Sequence, residues 1–267
     1  MKLRVVRADP AGNITLFVLD GVARAARAAV AAKLMELPAF AAEQVGFACP
    51  PEEDGDGRFE MMGGEFCGNA VRAFGMLTAR ERGMSGRVRV MVETSGCKGA
   101  VAVDVDTAAG TARAEMPPSR FVRAVGDADI RGTLVHLGGI AHLVVERAPD
   151  AALFGAAEAL LAREGALAGL EAYGVIFLHG GRLTPLVKVI ATDTLVWEGS
   201  CGSGTLAAAL AGSVTMRDGV FTRDYVQPAG TIRAEVEKRG GAAVSAYIGG
   251  AVTIGETQEV DTEKPYQ

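Results

Sequence analysis

The chain has 267 residues, of which 49% are hydrophobic and 22% charged, enough to bury the core of one large domain or of two smaller ones. Its formal net charge of −5, and the lack of any basic cluster interleaved with aromatics, argue against nucleic acid as a partner, because phosphate binding needs concentrated Lys and Arg. Residues 1–7 lack the apolar core of a signal peptide, and Arg24, Arg27 and Lys33 interrupt the longest Ala-rich stretch, so no membrane span and a cytoplasmic location are expected.

In chain order, Ile14–Leu19 reads as a strand and Gly21–Leu37 as an amphipathic helix, followed by the short apolar strand Val45-Gly46-Phe47. Residues 51–57, Pro-Glu-Glu-Asp-Gly-Asp-Gly, read as a turn without the fixed ligand spacing of a calcium loop. Cys67-Gly68-Asn69-Ala70 opens a helical run through Leu77, and Thr94-Ser95-Gly96 precedes the alternating strand Ala100–Val105. Residues 116–120, Met-Pro-Pro-Ser-Arg, read as a linker.

The same order then recurs. His142–Glu146 is strand-like, Ala151–Leu167 an amphipathic helix and Val175-Ile176-Phe177 a short strand. Cys201-Gly202-Ser203-Gly204-Thr205 opens the apolar run Leu206–Ala211, and Pro228-Ala229-Gly230 precedes the alternating Ile232–Glu237. The two cysteine motifs and the two glycine turns are each 134 positions apart, from 67 to 201 and from 95 to 229. In a chain so rich in Gly and Ala, short matches arise cheaply; the preserved order and shared offset favour an internal duplication over coincidence. The expected fold is α+β, with similar halves at 1–118 and 119–267, the C-terminal tail packing on the first half. Each half is expected to bury its cysteine-led helix, because both helices are apolar nearly all round.

The four cysteines, Cys49, Cys67, Cys97 and Cys201, do not suggest a disulfide scaffold in a chain of this length, and their spacing fails the zinc template. His136, His142 and His179 are scattered and read as structural histidines, so no metal is expected. Cys67 and Cys201 differ from the rest. Each precedes a helix whose first turn is built from Gly, Asn, Ser or Thr, with free backbone N–H groups and little bulk. Such a helix start favours anions and is expected to lower the pKa of a thiol placed there. One such site is readily a capped helix with a buried cysteine; two, one in each half, point to paired acid–base chemistry. A thiolate on one face and a thiol on the other supply what inversion at Cα requires, and no lysine stands in a convincing Schiff-base setting. A thiol redox protein is the competing reading, but the local CxxC motif is absent. An amino-acid binding protein is another, though binding a carboxylate does not require two thiols.

At these residues the chain resembles the diaminopimelate epimerase-like family of pyridoxal-phosphate-independent amino-acid racemases and epimerases, along essentially its whole length. Within that family it is most similar to the histidine racemases that feed staphylopine-type metallophore synthesis. The resemblance is carried by Pro10-Ala11-Gly12-Asn13, Glu43-Gln44-Val45-Gly46-Phe47, Glu65-Phe66-Cys67-Gly68-Asn69-Ala70 and Ser95-Gly96-Cys97, with Trp197–Thr205 and Gln227-Pro228-Ala229-Gly230. It implies two similar, pseudo-symmetric domains, each a β-barrel-like sheet around a central helix, with the active site between them. It implies that Cys67 and Cys201 are the catalytic pair and that no cofactor is needed. Gly68 and Asn69, with Gly202, Ser203, Gly204 and Thr205, would bind the α-amino-carboxylate end of a small-molecule amino acid. Asn13 would lie near the substrate, Glu43 would contact its side chain or be a solvated charge, and the protein would be a homodimer. Trp197-Glu198-Gly199-Ser200 replaces the longer polar stretch of diaminopimelate epimerases, and Gly138–His142 departs from their Gly-Asn-Pro-His, so diaminopimelate is disfavoured. Ser200 stands where proline racemases have Pro. Histidine is the expected substrate, with another polar amino acid as the alternative.

Overall fold

The computed structural model describes residues 1–263, a mixed α/β fold rich in strands with few helices. It divides into two compact units, one formed by Met1–Glu115 with the segment from Gly249 onward, the other by Met116–Ile248.

In the first unit, β1 (Lys2–Asp9) and β2 (Thr15–Val18) pair antiparallel, and α1 (Arg24–Met35) leads to β3 (Gln44–Cys49), parallel to β2. The next strand, β4 (Gly57–Met61), runs antiparallel to β3; α2 (Gly68–Glu81) then crosses to β5 (Arg87–Thr94), parallel to β4. Antiparallel β6 (Ala100–Asp106) and β7 (Thr111–Glu115) complete the run. Every residue of β2 is buried, because successive side chains enter two different cores. Leu16 and Val18 join Val30, Ala31 and Leu34 of α1, while Phe17 joins Phe74 of α2. Phe17, Phe59 and Phe74 meet with ring centroids 4.8–5.5 Å apart, a geometry worth about 0.5–1.5 kcal/mol per pair beyond burial. On β6 only Val101, Val103 and Val105 are buried, the period of two read from the sequence.

The helix α2 is buried from Gly68 through Ala79 and packs on β5, β6 and β7. It ends where Gly83, at φ 65°, places its N–H on Arg80 O while Met84 N–H reaches Ala79 O. A left-handed residue with these two bonds satisfies the last carbonyls of the helix.

The second unit repeats this order of pairings. Strand β8 (Phe121–Gly126) lies antiparallel to β9 (Arg131–His136), which is antiparallel to β10 (Ile140–Val145). Helix α3 (Phe154–Arg163) leads to β11 (Ala172–His179), parallel to β10, and antiparallel β12 (Arg182–Val189) follows. An added strand, β13 (Thr194–Trp197), pairs with β12 before α4 (Gly202–Gly212). Strand β14 (Gly219–Val226) touches β12 in parallel and pairs antiparallel with β15 (Thr231–Arg239), followed by β16 (Ala242–Ala251). The last strand, β17 (Thr253–Asp261), belongs to the first unit and lies antiparallel to β1, as β8 does to β9 in the second. Leu143, Val145, Val175 and Phe177 pack with α3, whereas His142 and Ile176 approach the start of α4.

Helix α3 is shorter than the sequence suggests. Ala151–Leu153 forms a separate 3-10 turn capped by Asp150 Oδ1, and the helix ends at Arg163. Gly165, at φ 68°, donates to Ala162 O, and Ala166 donates to Leu161 O. The glycine that stops the chain there interrupts an apolar periodicity that continues to Leu167.

Candidate active site

Cys67 and Cys201 cap α2 and α4 in nearly the same extended backbone conformation, φ −128°, ψ 107° and φ −123°, ψ 112°. The segments before them are held alike. Ser95 Oγ donates to Glu65 O at 2.9 Å, and Ala229 N–H donates to Gly199 O at 2.8 Å. Each acceptor lies two residues before its cysteine, and both donors and both acceptors keep the 134-residue offset. Gly96 has φ 69°, and a Cβ there would stand 2.3 Å from Phe66 N, so the turn approaches the backbone more closely than any side chain permits.

Around Cys67, Gln44 Nε2 lies 3.4 Å from the sulfur, 2.9 Å from Asn13 Oδ1 and 2.8 Å from Thr15 Oγ1. Asn13 Oδ1 also accepts from Asn69 Nδ2 at 3.3 Å and lies 3.9 Å from Cys67 Sγ. Its Nδ2 donates to Glu43 Oε2 at 2.8 Å. Glu43 is exposed as a residue, but its carboxylate turns back to Asn13, and partial burial pushes its pKa up against that hydrogen bond. The parallel pairing of Thr15 with Gln44 sets these groups at the starts of β2 and β3, beside the start of α2. Asn13, Glu43, Gly68 and Asn69 therefore gather with Cys67. Gln44, Thr15 and Arg72 join them without having been assigned roles from sequence; adjacency to Glu43 was the only local sign of Gln44.

Around Cys201, the Gly204 N–H donates to the sulfur at 3.3 Å and Ser203 Oγ lies 3.4 Å from it. His142 Nε2 meets the same hydroxyl at 2.9 Å. Gln227 Oε1 accepts from Cys201 N–H at 2.8 Å while its Nε2 donates to Thr205 Oγ1 at 2.8 Å. Thr205, fully buried, donates in turn to Cys201 O at 2.6 Å. Gly202, Ser203, Gly204 and Thr205 thus all build the helix start, and His142 from β10 and Gln227 just after β14 brace it. A Cβ on Gly204 would lie 2.6 Å from Ile176 Cδ1 and 3.2 Å from Cys201 Sγ.

The expected lowering of both thiol pKa values is corrected by burial. Desolvation is the largest influence on each sulfur and raises both. At Cys67 the Ala70 and Asn69 N–H groups and Gln44 pull downward, and Glu65 pushes upward. Cys201 is pushed well above the ordinary thiol range, Glu198 adding to the effect of burial while Ser203 and Gly204 oppose it. His142, with no exposed surface, is driven to about 3 by burial and is neutral at physiological pH.

Other marked residues lie apart from these clusters. A cavity of about 560 Å³ in the first unit is lined by Arg24, Arg27, Arg58, Glu60, Glu93 and Cys97 among others, and Cys67 does not line it. Its charges satisfy one another: the three arginines bond Glu60, and Glu93 accepts the N–H groups of Glu52, Glu53 and Gly55. Cys97 packs against the α2 core, and Cys49 accepts from Arg27. Trp197, 44% exposed, leans on Phe177 with ring centroids 5.8 Å apart. No group of His, Cys, Asp and Glu among the described residues has the arrangement of a metal site, and no helix among them is long and apolar enough to cross a membrane.

Known proteins share this arrangement of elements. A family model described as the histidine racemase CntK N-terminal domain matches residues 2–259. A histidine racemase of Fusobacterium nucleatum subsp. nucleatum is 30% identical over 214 residues, covering 77% of this chain and 78% of that protein. A histidine racemase of Staphylococcus aureus is 24% identical over 254 residues and covers 92% of each. Among solved structures, a hydroxyproline epimerase from Agrobacterium vitis superposes with a TM-score of 0.66 at 16% identity, over 99% of this chain and 94% of that one, a likeness of fold. The family match runs through both cysteine-capped helices and nearly the whole sequence, so the chain belongs to the CntK-type histidine racemase family and is an isomerase, an amino-acid racemase.

Proposed function

We propose that the protein racemises histidine without pyridoxal phosphate, Cys67 and Cys201 acting as the acid–base pair on one Cα. The observation that carries this reading is the equivalent placement of the two thiols, each capping a helix with the same backbone conformation and an equivalent brace behind it. In the proposed step a thiolate takes the Cα proton and becomes a thiol. The other thiol delivers its proton to the opposite face of the carbanion and becomes the thiolate. The product is the enantiomer, and the enzyme is left ready for the reverse direction. The N–H groups that open α2 and α4, from Gly68, Asn69, Gly202, Ser203, Gly204 and Thr205, would receive the substrate carboxylate and the charge that develops on it. Proton transfer by positioned groups contributes roughly 10²–10⁴-fold, so the electrostatic environment supplies much of the remaining acceleration.

Glu43, held by Asn13, is proposed to bond the imidazole; the histidine racemases among the relatives support that side chain over others. The matching order of pairings in the two units supports a duplicated, pseudo-symmetric origin, each half a barrel-like sheet around its cysteine-led helix. A homodimer in the cytoplasm completes the reading. Incubating the reduced protein in D₂O with L- and D-histidine and a panel of other amino acids tests it, with chiral chromatography of the products. Deuterium at Cα of histidine, with inversion lost in Cys67→Ser and Cys201→Ser, is expected. Exchange confined to another polar amino acid would replace the substrate, and inversion surviving either serine variant would end the two-thiol mechanism.

A further inference from the structure

Arg72 lies in α2, five residues after Cys67, and has no exposed surface. Its three hydrogen bonds all end on neutral oxygens: Asn69 Oδ1 at 3.2 Å, Ala251 O at 3.1 Å and Pro10 O at 2.7 Å. Elsewhere in the same unit the half-hidden Arg27 and Arg58 share the Glu60 carboxylate. A buried cation is ordinarily paired with an anion, because the interior does not screen its charge. Here burial lowers the Arg72 pKa to about 10, so the group remains charged at neutral pH, and the charges that support it are Cys67 first and then Asp9.

Arginine has donors only, which gives the network a direction. Asn69 turns Oδ1 to Arg72, leaving Nδ2 for Asn13 Oδ1; Asn13 then has only Nδ2 for Glu43. The amide dipoles align outward from the buried charge.

We propose that Arg72 is the fixed counter-charge of the Cys67 thiolate, a positioning residue that makes Cys67 the first of the two site thiols to ionise. The proposal rests on the reading of Cys67 as an acid–base group. Coulomb attraction is mutual, so a guanidinium that a thiolate would stabilise also favours that thiolate. The groups that face Cys67 are Gln44 from β3, Asn13 after β1, Asn69 and the helix N–H groups from α2, and Glu65 on its own segment. Asp9 and Glu43 are the other carboxylates nearby: Asp9 supports the charge of Arg72, and Glu43 is bonded to Asn13. Arg72, joined to this set through Asn69, is the cation whose charge Cys67 supports. At Cys201 the acting groups are Glu198, Ser203 and Gly204, none of them a cation.

The test alkylates the full-length, substrate-free protein with iodoacetamide across a pH series and follows each cysteine by peptide mass spectrometry. In the native protein Cys67 is expected to gain reactivity at lower pH than Cys201; the reverse order overturns the proposal, whatever the variants do. Arg72→Gln is expected to shift the Cys67 profile upward by ~1 pH unit, about tenfold slower alkylation below the midpoint, with Cys201 unmoved. Arg72→Lys, which keeps the charge, is expected to restore most of that shift. A folded Arg72→Gln protein with an unchanged Cys67 profile, or a Lys variant displaced as far as the Gln variant, also overturns it. Racemisation by Cys67→Ser is assayed separately: its survival would end the two-thiol reading without altering the titration result.

Discussion

The proposed imidazole contact makes Glu43 the residue at which substrate choice is tested. Its carboxylate is held by Asn13 Nδ2, and partial burial makes its charge costly to hold without a donor. If it receives the imidazole, Glu43→Gln removes a charge-assisted bond worth about 1.5–3 kcal/mol. The expected result is a fall of roughly 10–100-fold in kcat/KM for histidine, while the Cys67 alkylation profile stays near native. His142 makes a different prediction. Burial holds its pKa at about 3 in the folded protein, against about 6.5 for an ordinary histidine, so the unfolded chain binds its proton first as pH falls. The stability that neutral His142 represents is complete above about 6.5 and is lost progressively toward 3. His136, also lowered by burial and then by Arg120, adds in the same direction. Urea midpoints at pH 7 and pH 5 should fall with acidification, and His142→Asn should flatten that slope; an equal slope in the variant would assign the loss to other groups.

Between residues and the whole fold, the turn behind Cys67 has no room for a side chain. Gly96 combines φ 69° with a backbone neighbour 2.3 Å from any Cβ. Gly96→Ala is expected to cost about 1–3 kcal/mol in urea unfolding and to lower racemisation, because relief of the clash displaces the Glu65–Cys67 segment. Gly204→Ala meets the flexible tip of Ile176, which can shift, but also crowds Cys201 Sγ at 3.2 Å. It should fold with a smaller loss of stability than Gly96→Ala and a larger effect on Cys201 alkylation than on that of Cys67. The elements themselves were largely legible. The valines of β6 and the apolar runs after Cys67 and Cys201 announce their structure locally. The end of α3 was not, because Ala166 and Leu167 continue an apolar period that the left-handed Gly165 breaks.

For the whole molecule, the proposed pairing of thiols has a redox consequence. Air oxidation is expected to link Cys67 to Cys201, abolish racemisation and be reversed by reductant, with the bond located by peptide mapping. Full activity in a completely oxidised, mass-verified sample would remove the two-thiol mechanism. The family and the two cysteine-capped helices could be read from the residues alone, because motifs, caps and hydrophobic periods act over a few residues. What surrounds each sulfur depended on the folded chain. Gln44 reaches Cys67 from 23 residues away, Gln227 reaches Cys201 from 26, and His142 reaches Ser203 from 61. The direction of the thiol pKa shifts also depended on the fold, since desolvation sums over every segment packed against a group and no local motif records that sum. Arg72, a lone charge in an apolar run, became meaningful only once the fold had closed around it.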